Sequence, residues 1–223
     1  MRRVPGILIL CALIAGSAAF AADWPTWRGD AMRGAATDEA LAVGLHLQWV
    51  RELPALEPGW VDEPRMLFDA AYEPIVSAGV LFVASPRSDR VSAYDATTGE
   101  HRWDFFTNGP VRFAPAVWRD RLYFGSDDGY LYCVNAGDGS LRWKFRGGPS
   151  ERLVLGNNRM ISTWPVRGAA VIADGTVYFS SGIWPFMGVF VYALNADTGE
   201  LIWVNDGQGA QFIPQPHGGA LAF

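Results

Sequence analysis

One eleven-residue phrase occurs three times in this chain, and that recurrence limits what it can fold into. AYDATTGEHRW (93–103), CVNAGDGSLRW (133–143) and ALNADTGELIW (193–203) share a small residue, an Asp or Asn two positions later, a Gly four further on and a Trp four after that. VLFVAS, RLYFGS and TVYFSS precede the three copies. Each is rich in β-branched and aromatic residues and reads as a strand. RVSAYD, YLYCVN and FVYALN supply a second strand, and the Trp segment supplies the outermost one. The upstream pieces YEPIVSA and FAPAVW supply an inner strand. Each unit is expected to be a four-stranded antiparallel meander. The tryptophans are 40 and 60 residues apart, so the second interval carries an insertion. Units of this size and composition predict the blades of a β-propeller.

The motif has a physical reading. Asp95, Asn135 and Asn195 can bond their own backbone and nucleate a turn. Gly99, Gly139 and Gly199 supply the positive φ that such a turn needs. Trp103, Trp143 and Trp203 each offer a flat ring to a neighbouring blade and an indole N–H to a carbonyl. Ala93, Cys133 and Ala193 are small, which we read as room for a neighbour's ring. The Trp-Asp pair at 103–104 resembles a WD dipeptide, but the other copies read Trp-Lys and Trp-Val, so the Asp is outside the period.

These residues resemble the tryptophan-docking repeat of PQQ-like β-propellers, which include quinoprotein alcohol dehydrogenases and BamB. The resemblance spans about residues 47–205. DWPTWRG (23–29) resembles the opening of many secreted bacterial proteins of this type, and LQWVREL (47–53) resembles the outer strand of a further blade. The resemblance implies a ring of seven or eight blades. The expected fold is therefore an incomplete all-β propeller, three blades plus one orphan outer strand over 47–223, after a lead-in at 22–46. The remaining blades of a longer chain, or a protein partner, are expected to cover the open faces.

Residues 1–21 read as a secretory signal peptide: MRR, an apolar run, then Ala19-Phe20-Ala21 as a small-x-small cleavage site. An uncleaved membrane anchor is the rival reading. Cys11 follows Leu10 rather than a small residue, which argues against lipidation. Removing Arg2 and Arg3 takes the formal charge from −5 to −7 and leaves Cys133 as the single cysteine, so no internal disulfide can form. An acidic chain without basic blocks is not expected to bind nucleic acid, and nothing after residue 21 is long and apolar enough to span a membrane. The expected location is periplasmic or secreted.

In a meander blade, the turns between the third and fourth strands lie on one face, here called the short-turn face. The turns between the second and third strands share the opposite face, the connection face, with the blade-to-blade links. Residues 54–72, 147–164, 182–188 and 206–219 read as long loops on the connection face. Binding is expected there. The candidates are Arg65, Asp69, Asn157, Asn158, Arg159, Trp164 and Trp184, with loop packing as the plain alternative for the tryptophans and simple solvation for Arg159.

Catalytic signals are sparse. The resemblance implies that a quinoprotein dehydrogenase would hold PQQ and Ca²⁺ near the axis, many with an adjacent cysteine pair beside the cofactor. This chain has no Cys-Cys and no CxxCH. No residue here matches the family's ligands by motif, so no catalytic or metal residue is assigned. His46, His101 and His217 lack zinc spacing, and His101 is expected to be exposed. Cys133 reads as a buried structural thiol, and Asp127-Asp128-Gly129 as a hairpin turn. The sequence therefore favours an exported, non-catalytic binding or scaffolding propeller. The alternative is a PQQ- and calcium-dependent oxidoreductase completed by further blades.

Overall fold

The computed structural model describes residues 22–40, 43–57, 69, 71–156, 159–184 and 187–206. It contains three four-stranded antiparallel sheets and one hairpin. The first blade is β1 (Ile75–Ser77), β2 (Val80–Ser85), β3 (Arg90–Asp95) and β4 (His101–Phe106). The second is β5 (Ala116–Trp118), β6 (Arg121–Gly125), β7 (Tyr130–Asn135) and β8 (Leu141–Arg146). The hairpin β9 (Leu153–Gly156) and β10 (Arg159–Ser162) follows. The third blade is β11 (Val171–Ala173), β12 (Thr176–Ser181), β13 (Phe190–Asn195) and β14 (Leu201–Asn205). Within each blade the strands pair in chain order, as the meander predicts.

The core lies between blades. Alternation along β6 and β7 sends Leu122, Phe124, Tyr132 and Val134 towards Phe82, Val91 and Trp103 of the first blade. It sends Tyr123, Leu131 and Cys133 towards Val177, Phe179 and Leu194 of the third. Successive strand residues point to opposite faces, so a blade covered on both sides is apolar at nearly every position.

The repeat motif folds as a turn. The side chain of Asp95 accepts the amides of Thr97 and Thr98, both at 2.9 Å, and that of Asn195 accepts Asp197 at 2.9 Å and Thr198 at 3.0 Å. Asn135 accepts Gly137 at 2.8 Å. Gly99, Gly139 and Gly199 have φ of +72°, +73° and +74°. Trp103 and Trp143 each dock on the glycine of the following blade. Carbons of the Trp103 ring come within 2.7 Å of the position a Cβ on Gly139 would take, and those of Trp143 stand equally close to Gly199. Their indole N–H groups donate to Ala136 O at 3.2 Å and Ala196 O at 3.3 Å.

Trp49 repeats this on Gly99, with its N–H donating to Ala96 O at 3.1 Å. LQWVREL thus supplies a docking Trp, although residues 47–53 pair with no strand among the described residues. Trp203, on the far side of the third blade, is 44 % exposed.

Two expectations are corrected. Ala93, Cys133 and Ala193 do not make room for a neighbour's ring. They lie directly across the strand pair from their own blade's Trp103, Trp143 and Trp203. On the other side each faces Phe82, Tyr123 or Tyr178. The small side chain lets those rings approach the Trp over it, at centroid distances of 5.9, 5.8 and 6.2 Å. The stretch 147–164 is not one long loop either. LVLG and RMIS pair as β9–β10, and Val154 and Ile161 stand opposite each other within it.

Candidate functional site

The same tripeptide leads into two inner strands. Pro110-Val111-Arg112 precedes β5, and Pro165-Val166-Arg167 precedes β11. Each lead-in hydrogen-bonds to the end of the second strand of the blade before it. Val111 N–H donates to Ser85 O at 3.4 Å, and Val166 N–H to Ser126 O at 3.1 Å. The proline carbonyls accept in turn from Asp127 N–H at 2.9 Å and Gly182 N–H at 3.0 Å. These bonds tie consecutive blades together and hold Arg112 and Arg167 on the connection face.

Both arginines reach Asp127. Arg112 Nε donates to Oδ2 at 2.7 Å, while Arg167 Nε and Nη2 donate to Oδ1 at 2.9 Å and Oδ2 at 2.8 Å. Arg112 also pairs with Asp69. The Asp127 side chain is 1 % exposed. Two carboxylates thus meet two guanidinium groups, and the formal charge of the cluster is zero. Charge-assisted, partly bidentate contacts are the strongest hydrogen bonds a carboxylate can accept, and they occupy both oxygens of Asp127. Asp127 lies in the expected turn, with Gly129 at φ +94°, and is also a joint between the lead-ins of two blades.

The other candidates fall in two places. Arg159 starts β10 and crosses to the first blade, where it pairs with Asp89 and donates to Pro86 O at 3.3 Å. It is therefore bound to protein rather than simply solvated. Trp164 is buried, and its indole N–H donates to Met187 O at 2.6 Å. Met187 N–H in turn donates to Trp184 O at 2.9 Å, which links the two tryptophan segments. Trp184 is 39 % exposed. Arg65, Asn157 and Asn158 lie outside the described residues. His101 is exposed, with Nε2 3.2 Å from Asp104.

Cys133 is fully buried, and burial pushes its thiol up to about 12. A thiol so held is protonated and inert at neutral pH. Among the described residues, no group of three or more His, Cys, Asp or Glu side chains could hold a metal ion. Calcium needs six to eight converging oxygens. The residues described here do not fit a calcium–quinone site on their own.

Sequence reasoning missed the Arg112–Asp127–Arg167 cluster. The signal was the PVR repeat four residues before two inner strands. It also missed a second docking residue, two places after the Trp. Phe105 meets the stacked pair Phe124–Tyr132 edge-on, and Phe145 meets the stacked pair Phe179–Tyr192 in the same way.

Residues 47–211 match the family described as outer membrane protein assembly factor BamB. The chain belongs to this family. Its relatives include enzymes. It is 32 % identical over 142 residues to the dehydrogenase subunit of the quinone alcohol dehydrogenase of Gluconobacter oxydans, covering 58 % of this chain and 18 % of that one. It is 28 % identical over 176 residues to subunit 1 of the methanol dehydrogenase [cytochrome c] of Methylobacterium organophilum, covering 72 % and 26 %. Among solved structures, the quinohemoprotein alcohol dehydrogenase of Comamonas testosteroni matches with a TM-score of 0.58 at 21 % identity, over 82 % of this chain and 27 % of that one. That likeness establishes the propeller fold. The chain spans about a fifth to a quarter of the curated relatives it matches.

Proposed function

We propose that this chain is part of an exported, non-catalytic propeller of the family, working as a binding or scaffolding module through its connection face. The supporting observation is the Arg112–Asp127–Arg167 cluster. Among the described residues, the most deeply buried carboxylate of that face is committed to joining blades, with both of its oxygens already taken by the two arginines. The protein partner or further blades would cover the exposed side of the third blade. Export to the periplasm or the exterior follows from the reading of residues 1–21 as a cleaved leader. No helix among the described residues is long and apolar enough to cross a membrane.

A second reading is favoured by the relatives, several of which are quinone-linked alcohol dehydrogenases at 28–32 % identity. Under it, further blades would complete a PQQ and calcium site for alcohol or sugar oxidation. The test is a titration of the full-length mature protein with PQQ and Ca²⁺, followed by absorbance and dye-linked alcohol oxidation. No binding at ligand concentrations on the order of tens of micromolar, well above a tight cofactor Kd, supports the scaffold. Stoichiometric binding with turnover overturns it.

A further inference from the structure

The inner strands β1, β5 and β11 are each first in their sheets, so each has one edge with no neighbour in its own blade. Such edges carry unpaired amides and carbonyls that need partners. The N-terminal lead-in supplies them blade by blade. Trp24 and Val76 exchange two backbone bonds, at 2.8 and 3.0 Å. Val117 N–H donates to Pro25 O at 2.7 Å. Arg33 Nη2 donates to Ala169 O, just before β11, at 3.0 Å. Asp23 clasps the β1–β2 turn, accepting from Ser77 Oγ and Ala78 N–H, both at 2.9 Å.

The segment is compact between these anchors. Gly29 N–H donates to Thr26 O at 3.0 Å, Arg33 N–H to Asp30 O at 3.0 Å and Ala35 N–H to Arg28 O at 2.8 Å. Gly29 has φ of +92°, and the Trp24 ring lies 3.3 Å from where its Cβ would be. The guanidinium groups of Arg28 and Arg33 stand 5.5 and 5.2 Å from the Trp27 ring, a cation–π arrangement. Trp27 packs on the core between the first two blades.

The β1–β2 turn lies at the short-turn end of the blade, opposite the Arg112–Asp127–Arg167 cluster. We propose that residues 23–35 are a resident plug that fills the inner edges of the three blades, entering at the β1–β2 turn of the first and ending on Ala169 at the connection-face end of the third, so that no strand of a ligand or partner can pair with β1 or β5 while it is seated. The plug rests on the propeller fold and is independent of whether the protein binds PQQ.

The test is residue-resolved hydrogen exchange and hydroxyl-radical labelling on the full-length protein, with limited trypsin digestion at Arg28 and Arg33. In the native protein, the Val76 and Val117 amides should exchange at least a hundredfold more slowly than free chain, and trypsin should spare both arginines. Asp23→Gly with Trp27→Gly should speed exchange at Val76 and Val117 tenfold or more and raise radical labelling of both side chains. The amides of β2 and β3 should stay protected. Free exchange or full labelling at Val76 and Val117 in the native protein would overturn the plug, even if the double variant fails to fold. Protected β2 and β3 amides in that case would leave the propeller standing.

Discussion

The indole of Trp103 rests on the backbone of Gly139 in the next blade, closer than any side chain there would permit, and its N–H is bonded to Ala136 O. Trp103 is 8 % exposed. Trp103→Ala should destabilise the protein by about 3–5 kcal/mol, as for other buried large aromatics. Trp203→Ala, in the chain of this sequence, should cost less than about 1 kcal/mol, the scale of an ordinary surface change. Urea unfolding of both variants checks this. A similar cost for the two would mean that Trp203 is docked as well.

The same contact makes Gly139 the harder residue to replace. Gly139→Ala would place a side chain at positive φ and within 2.7 Å of the Trp103 ring. The loss should exceed the roughly 1 kcal/mol of conformational cost alone, and near-ultraviolet circular dichroism should report a displaced indole.

Asp127 offers a test of the connection face. Asp127→Ala leaves two guanidinium groups without their shared partner and should cost about 3–5 kcal/mol. Arg87→Ala breaks an ion pair with Glu57 whose side chains are 50 % and 67 % exposed, and should change stability by less than about 1 kcal/mol. Thermal unfolding distinguishes them. Equal, small effects would mean that Asp127 is solvated.

Asp95 should titrate unusually low. The Arg102 guanidinium, then the amides of Thr98 and Thr97, hold its carboxyl at about 2. The unfolded value is about 3.9. The turn stability from this group is therefore complete above the unfolded value and is lost as pH falls through about 2. Carbon-detected NMR titration should give that midpoint, and Arg102→Ala should raise it.

Cys133 behaves in the opposite sense. Burial raises its folded value to about 12, against about 8.5 for a free thiol. Above that free value the unfolded chain ionises first, so this group lowers stability as pH rises towards 12. Cys133→Ala, which places here the residue found at 93 and 193, should remove that thiol's part of the alkaline loss. A disulfide reagent at pH 8 should label Cys133 only after unfolding.

Much of the fold is legible in the sequence because it is local and periodic. The Asp95–Gly99 turn and its copies lie within a few residues, and each strand announces itself by composition. The docking of Trp49 is legible for the same reason, since LQWVREL copies the outer-strand phrase. The Asp127 joint is not, because its partners stand 15 and 40 residues away, and arginines in links look like solvated charge. Hairpin β9–β10 hides behind flanking charges, although Asn157-Asn158 between two apolar runs has turn composition. The plug escapes notice because Trp24 and Pro25 act through backbone groups, which sequence does not distinguish.

The docks all run in one direction: Trp49 to the first blade, Trp103 to the second, Trp143 to the third. Stability of such an array is a sum over nearest neighbours, and its members are not equivalent. The second blade has a dock on each side. On the outer side of the third blade, Tyr178 and Trp203 remain 37 % and 44 % exposed. Asn205 stands where the earlier copies have Phe105 and Phe145. A blade set against Tyr178 and Trp203 would add a further neighbour contact to this sum and raise the melting temperature of every blade behind it.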